Sequence, residues 1–225
     1  MNWKCCILHS VDKETQVILK KLELMSFGAN CYIIGDETTK EGMVIDPGGD
    51  ASLIMKQVKS LGLKIKIIVL THSHIDHVGA LAEVKEATGA EIAIHEDEAP
   101  FLRKQPFRMP FMPATSPPPP VERLLKEGDV ITLASLKFKV LHTPGHTAGG
   151  ICLVGDGIVF TGDTLFNFGI GRADFPGSDY NQELNSIHNK LMTLPDSYKV
   201  FPGHGPDSTI GAERKGNPFL NGTAF

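Results

Sequence analysis

Thr71-His72-Ser73-His74-Ile75-Asp76-His77 stands directly after the apolar run at residues 65–70 and directly before residues 79–88, where Leu81, Val84 and Ala87 share a helical face. A short run rich in β-branched residues followed by a helix places this stretch at the carboxyl end of a strand, where open α/β sheets bind ligands. In extended backbone residues i and i+2 project to the same side, so His72 and His74 can grip one ion together. Asp76 and His77 come at the turn into the helix, where they can be offered to a second ion. Three imidazoles and a carboxylate crowded within six residues are costly to desolvate unless a cation compensates.

Three later loops repeat the pattern. His146 lies in Thr143-Pro144-Gly145-His146-Thr147 after an apolar run at 137–141. Asp163 lies in Thr161-Gly162-Asp163-Thr164 after a run at 158–161, and His204 lies in Pro202-Gly203-His204-Gly205 after 199–201. Each candidate ends a strand among small residues that permit close backbone approach. Imidazole and carboxylate without thiolate suit zinc first, with iron or manganese as alternatives, and disfavour calcium. The assignment that follows is two divalent ions: His72, His74 and His146 at site one, Asp76, His77 and His204 at site two, and Asp163 bridging. Asp76 and Asp163 are then the carboxylates nearest the chemistry, and two divalent ions, two carboxylates and a hydroxide leave a small positive charge facing a substrate. His9, His95 and His188 have no partner pattern and read as ordinary surface or core residues. His142, four residues before His146, reads as an outer residue orienting the site.

Further β-type runs fall at 31–34, 43–45, 92–95, 130–133 and 151–154, and helical periodicity at 52–61 and 182–194, the last ended by Pro195. Strand-rich halves interleaved with a few helices argue for an α/β fold of layered sheets covered by helices. Residues 105–120, rich in proline with Phe107, Met109, Phe111 and Met112, read as a surface connection, with a lid or an oligomer contact as the alternative. At 225 residues and 41% hydrophobic content the chain can bury one substantial core and is taken as a single domain, 1–225. The net charge of −4 is interspersed, which argues against nucleic acid and membrane partners and leaves a small molecule; a homo-oligomer stays open. The first ten residues do not read as a signal peptide, and no apolar stretch is long enough to span a bilayer. Cys5, Cys6, Cys31 and Cys152 lack a Cys-x-x-Cys spacing, so a reduced, cytoplasmic setting is expected, with Cys31 and Cys152 as small buried hydrophobes.

These residues, in this order, resemble the metallo-β-lactamase superfamily over most of the chain, from Asn30 and Asp46-Pro47-Gly48 to His204. The full His-x-His-x-Asp-His with Asp163, together with Gly171-Arg172-Ala173-Asp174-Phe175-Pro176-Gly177, looks like the short glyoxalase II-type (hydroxyacylglutathione hydrolase-like) enzymes. The resemblance implies an αββα sandwich and a binuclear metal-dependent hydrolase of thioesters such as S-lactoylglutathione. Long glyoxalase II enzymes hold glutathione partly with a C-terminal helical domain, whereas this sequence runs 21 residues past His204 (225 minus 204), so the metal chemistry carries over and those contacts do not. Arg172 and Phe168, in the loop 166–174, become candidate substrate contacts, with the pinning of that loop as the other role open to Arg172. A thiolate leaves without a dedicated acid, which a β-lactam nitrogen would need. Three rivals remain: a mononuclear iron enzyme like the persulfide dioxygenases using His72, His146 and Asp163, a lactonase, and a non-catalytic metal-binding module, the last weakened by a paired, open ligand set.

Overall fold

The computed structural model describes residues 6–8, 17–25, 28–104 and 116–223; His9 and residues 105–115 of the proline-rich segment lie outside them. In the first half, strands β1 (Cys6–Leu8), β2 (Val17–Glu23), β3 (Asn30–Asp36), β4 (Glu41–Ile45), β5 (Lys64–Val69), β6 (Glu91–His95) and β7 (Arg123–Leu125) form one sheet in sequence order. The pairing is antiparallel from β1 to β4 and parallel from β4 to β7. The connections carry α1 (Ala51–Ser60), the single turn α2 (Ile75–Val78), α3 (Leu81–Thr88) and the short α4 (Ala99–Leu102). In the second half, β8 (Val130–Leu133), β9 (Leu136–His142), β10 (Ile151–Val154), β11 (Ile158–Gly162), β14 (Lys199–Pro202) and β15 (Ser208–Thr209) form a second sheet, in which only β11 and β14 run parallel. A small hairpin, β12 (Leu165–Phe166) and β13 (Gly169–Ile170), and the helices α5 (Tyr180–Ser186) and α6 (Ile210–Gly216) complete it.

Alternation along the strands divides the apolar residues among three cores. Cys31, Ile33, Val44, Ile68 and Leu70 face Ile54 and Val58 of α1 and Leu81 and Val84 of α3. Their neighbours Tyr32, Ile34, Met43, Ile45, Ile67 and Val69 face Val140, Leu153, Phe160 and Phe201 of the second sheet. That sheet's other face, Leu141, Cys152, Val159 and Val200, packs on Ile187, Leu191 and Ile210. The layers are therefore helix, sheet, sheet, helix: the α/β, αββα sandwich. Tyr32, edge-on to Phe160 at 5.0 Å, donates its hydroxyl to the Pro202 carbonyl at 2.7 Å and so ties the sheets together beside the loop of His204.

Several elements depart from expectation, and β1, β7, α4 and α6 were not foreseen at all. The helix at 79–88 begins one turn earlier, as α2, and is interrupted at Gly79 and Ala80, so Asp76 and His77 sit within a helical turn. The helix at 182–194 is α5, capped by Asp179 accepting from Gln182 N–H, and then one π-helical stretch, Ile187–Leu191. Strand β2 was not anticipated, because Lys20 and Lys21 interrupt its apolar alternation. No described helix is long and apolar enough to cross a membrane.

Candidate metal centre

The ends of β5, β9, β11 and β14 bring the seven predicted ligands to one place. His74 Nδ1 lies 3.1 Å from His72 Nε2 and 3.0 Å from His146 Nε2. Beside them His204 Nε2 lies 3.3 Å from His77 Nε2 and 3.1 Å from Asp76 Oδ2. Asp163 stands between the groups: Oδ1 is 3.3 Å from His77 Nε2, and Oδ2 is 3.6 Å from both His146 Nε2 and His204 Nε2 and 4.0 Å from His72 Nε2. Donor atoms about 2.1 Å from a tetrahedral ion lie about 3.4 Å from one another. The site-two separations of 3.1, 3.3 and 3.7 Å bracket that spacing, and the His74 pairs of site one are 0.3–0.4 Å closer.

The outer hydrogen bonds say which ring nitrogens carry protons. His146 Nδ1 meets the Arg172 carbonyl at 2.7 Å, His204 Nδ1 the Gly28 carbonyl at 3.1 Å, and His77 Nδ1 the Asp46 carboxylate at 2.9 Å; all three partners can only accept. Thr71 Oγ1 gives its hydrogen to Asp46 at 2.6 Å and so accepts from His72 Nδ1 at 3.1 Å. Each of these four imidazoles is thereby assigned the Nδ1–H form and points a bare Nε2 inward, as outer partners of metal-bound histidines do. Bare nitrogens and carboxylate oxygens at these separations repel unless a cation lies among them. Asp163 Oδ1, buried without a hydrogen-bond partner, would be satisfied by the same cation.

The electrostatics agree. Burial, then the imidazoles of His77, His74 and His146, hold His72 well below the ordinary histidine range. Burial likewise lowers His77 and His204, but Asp163 and Asp46 outweigh it at His77, and Asp76 and Asp163 at His204, so both are raised. The proton each would hold on Nε2 occupies the place of a cation. Burial raises Asp76, yet His204 and His77 bring it down to about 2, and Asp163 is lowered by His77 against its own burial. Close approach is enforced by glycine: a Cβ on Gly203 would stand 2.1 Å from Asp163 Oδ1, and one on Gly48 would stand 1.6 Å from the Asp76 carbonyl.

A sequence profile of the metallo-beta-lactamase superfamily matches residues 26–204. The chain belongs to the metallo-β-lactamase superfamily. Among its relatives, hydroxyacylglutathione hydrolase GloC of Haemophilus influenzae is 39% identical over 209 residues, 89% of this chain and 96% of the relative. Three solved structures share the fold. BLEG-1 B3 metallo-beta-lactamase has a TM-score of 0.84 and 35% identity, covering 90% of this chain and 99% of that one. TTHA1623 in a di-iron-bound form has 0.80 and 36%, covering 89% and 100%. ETHE1 from Myxococcus xanthus has 0.79 and 30%, covering 91% and 85%.

Several residues that hold the ligands were given no such role from the sequence, Asp46 among them although Asp46-Pro47-Gly48 carried part of the resemblance. Asp46 accepts from Thr71 N–H at 2.7 Å as well as from Thr71 Oγ1 and His77, so it secures ligands at both sites. Glu98 Oε1 accepts from Ser73 N–H at 3.0 Å and from Ser73 Oγ at 2.6 Å, and Oε2 accepts from Gly149 N–H at 2.9 Å. It joins the loop of His72 and His74 to the loop of His146. Glu183, raised to about 8 by burial, accepts from His146 N–H at 2.5 Å. His142 Nε2 donates to the Ala148 carbonyl at 2.9 Å and stacks on His95 at 3.9 Å, steadying the His146 loop rather than the ring itself. Arg172 pairs in two places with Asp174, at 2.9 and 2.7 Å, and lies 4.4 Å over the Phe175 ring, while its carbonyl orients His146. Phe168 departs from expectation: it sits in the β12–β13 turn with its ring over Gly216 of α6 and its N–H on Glu213. The ring of that hairpin on the metal site is Phe166, 6.0 Å from His204.

Proposed function

We propose that this protein is a binuclear metal-dependent hydrolase of thioesters of the hydroxyacylglutathione type, S-lactoylglutathione among them. The observation that carries the reading is the convergence of seven donors into two sets near tetrahedral spacing, four of them imidazoles with the inward nitrogen bare. His72, His74 and His146 would hold one ion, Asp76, His77 and His204 the other, and Asp163 both, with zinc first and iron or manganese also compatible with these donors. The di-iron form of TTHA1623 supports two ions in this fold. Bound there, a pair of divalent ions supplies a nucleophilic water at neutral pH and stabilises the developing oxyanion. The chain's own part is orientation: Asp46, Thr71 and the carbonyls of Gly28 and Arg172 fix the imidazoles, and Asp76 and Asp163 remain ionised beside them. Water gives up a proton to solvent and adds its oxygen to the thioester carbonyl, the carbon–sulfur bond breaks, and the products are the carboxylic acid and a thiolate. Its conjugate acid has a pKa of about 8.5, so no side chain has to deliver a proton.

GloC, 96% of whose length is matched, is a hydroxyacylglutathione hydrolase by name and supports the glutathione thioester class. Glutathione thioesters belong to a reducing compartment, which accords with the free, buried thiols of Cys31 and Cys152 and favours the cytoplasm. BLEG-1, a metallo-beta-lactamase by name, keeps β-lactam opening in view, and the same ligands keep in view the one-iron oxygenase set out from the sequence. The test is thiol release from S-lactoylglutathione, run beside nitrocefin opening and oxygen uptake with glutathione persulfide. Thiol release as the dominant activity is expected. Oxygen uptake or nitrocefin opening without thiol release overturns the proposal.

A further inference from the structure

A cleft of about 90 Å³ opens beside His74 and His146 of site one and is lined by Phe101, Phe175 and Pro176. Phe101 and Phe175 are 47% and 39% exposed, unusual for large apolar rings, and Phe175 stands edge-on to His74 at 5.7 Å and to His146 at 6.2 Å. Two of the charged groups around this cleft are held within the protein, and a third, Lys104 Nζ, stands 5.9 Å over the Phe101 ring. Both oxygens of Glu98, at its floor, accept from Ser73 and Gly149, and the Arg172 guanidinium over Phe175 is bound in two places by Asp174. Among the described residues that line the cleft, the titratable side chains are Glu98, His74 and His146, and all three are engaged. Thr147 Oγ1, buried without a partner, has capacity for a single hydroxyl or carbonyl oxygen.

Resting on the thioester reading above, we propose that this aromatic cleft receives the acyl arm of the substrate, and that the protein selects thioesters with extended apolar acyl groups over short ones. The charged thiol moiety then lies on the other side of the reacting carbon, toward the part-exposed edge formed by Asp76 and His204. Covering a methylene fully is worth about fourfold in binding, and a half-open cleft returns about twofold.

The test measures kcat/KM of the metal-loaded protein on S-acetyl-, S-butyryl- and S-hexanoylglutathione. In parallel, calorimetry measures the affinities of the unreactive thioethers S-methyl- and S-hexylglutathione. A rise of about twofold per added methylene, and S-hexylglutathione binding at least tenfold tighter than S-methylglutathione, are expected. Both gradients should flatten in Phe101→Ala and Phe175→Ala variants that retain their metal. A flat gradient in the wild type, or one that survives in both variants, overturns the inference. If no thioester is hydrolysed the thioester reading fails instead, and the thioether affinities still decide the cleft.

Discussion

Replacing Asp46 by Asn preserves the side chain's shape and removes its charge at the point where both metal sites are secured. Asp46 accepts three hydrogen bonds, from Thr71 N–H at 2.7 Å, Thr71 Oγ1 at 2.6 Å and His77 Nδ1 at 2.9 Å. An amide has one accepting oxygen and one donating nitrogen. If the oxygen stays on His77, the amide nitrogen faces the Thr71 N–H, donor against donor. If it turns to Thr71 N–H, His77 loses its acceptor and with it the preference for a bare Nε2. Either way one bond to a charged group is lost, worth about 1.5–3 kcal/mol. Outer partners of metal-bound histidines typically account for 10–100-fold in affinity, about 1.4–2.7 kcal/mol, which is the same size. We therefore expect zinc to bind site two of Asp46→Asn about 10–100-fold more weakly. Site one, reached only through Thr71 Oγ1 and His72, should lose less. Competition against a chromophoric chelator resolves the two dissociation constants. If both lie within twofold of wild type, or site one suffers more than site two, the reasoning is refuted.

Two further outcomes follow from the same hydrogen-bond accounting. Glu98→Gln sets an amide nitrogen against the N–H of Ser73 or Gly149, loosening the joint between the loops that carry His72, His74 and His146; zinc affinity at site one should fall about tenfold with site two within twofold, and an equal loss at both sites would contradict this. Asp36 accepts from the Ser135 hydroxyl and N–H and from the backbone of Thr38 and Thr39, joining β3 to the β8–β9 turn, and the Ser135 hydroxyl first among these brings its carboxyl down to about 2. A depressed carboxylate stabilises the fold above its unfolded pKa, about 3.9, and loses that contribution as pH falls toward 2. In urea unfolding, wild type should exceed Asp36→Asn by about 1–2 kcal/mol at pH 6, with the gap closing between about pH 4 and 2; a gap constant down to pH 2 would rule out the carboxylate as its source.

The sequence made the ligands legible because each follows an apolar run and sits among glycines and prolines, so the strand end and its donor are read together. The same period-2 runs foretold most strands of both sheets, since parity alone assigns Tyr32 and Ile33 to different cores. The outer carboxylates were not legible. Asp46, Glu98 and Glu183 are separated from the groups they hold by 25 or more residues, and a lone acid carries no local pattern. Phe168 and Phe166 were indistinguishable for a related reason: which ring faces His204 depends on the hairpin turn, where Phe168 takes a positive φ of 56°. The interruption of α3 at Gly79 and Ala80 is set by packing on Pro47, whose carbonyl accepts from Ala80 N–H at 2.9 Å.

Metal content per chain by elemental analysis, for the wild type and for Asp163→Ala, bears most directly on the paired centre. The geometry predicts two ions per chain in the wild type. Removing the carboxylate that stands 3.3–4.0 Å from donors of both groups should cost at least one of them, together with most of the thiol-releasing activity. A wild type that saturates at one ion, or an Asp163→Ala protein that keeps two ions and full rate, would contradict a centre built around a shared carboxylate.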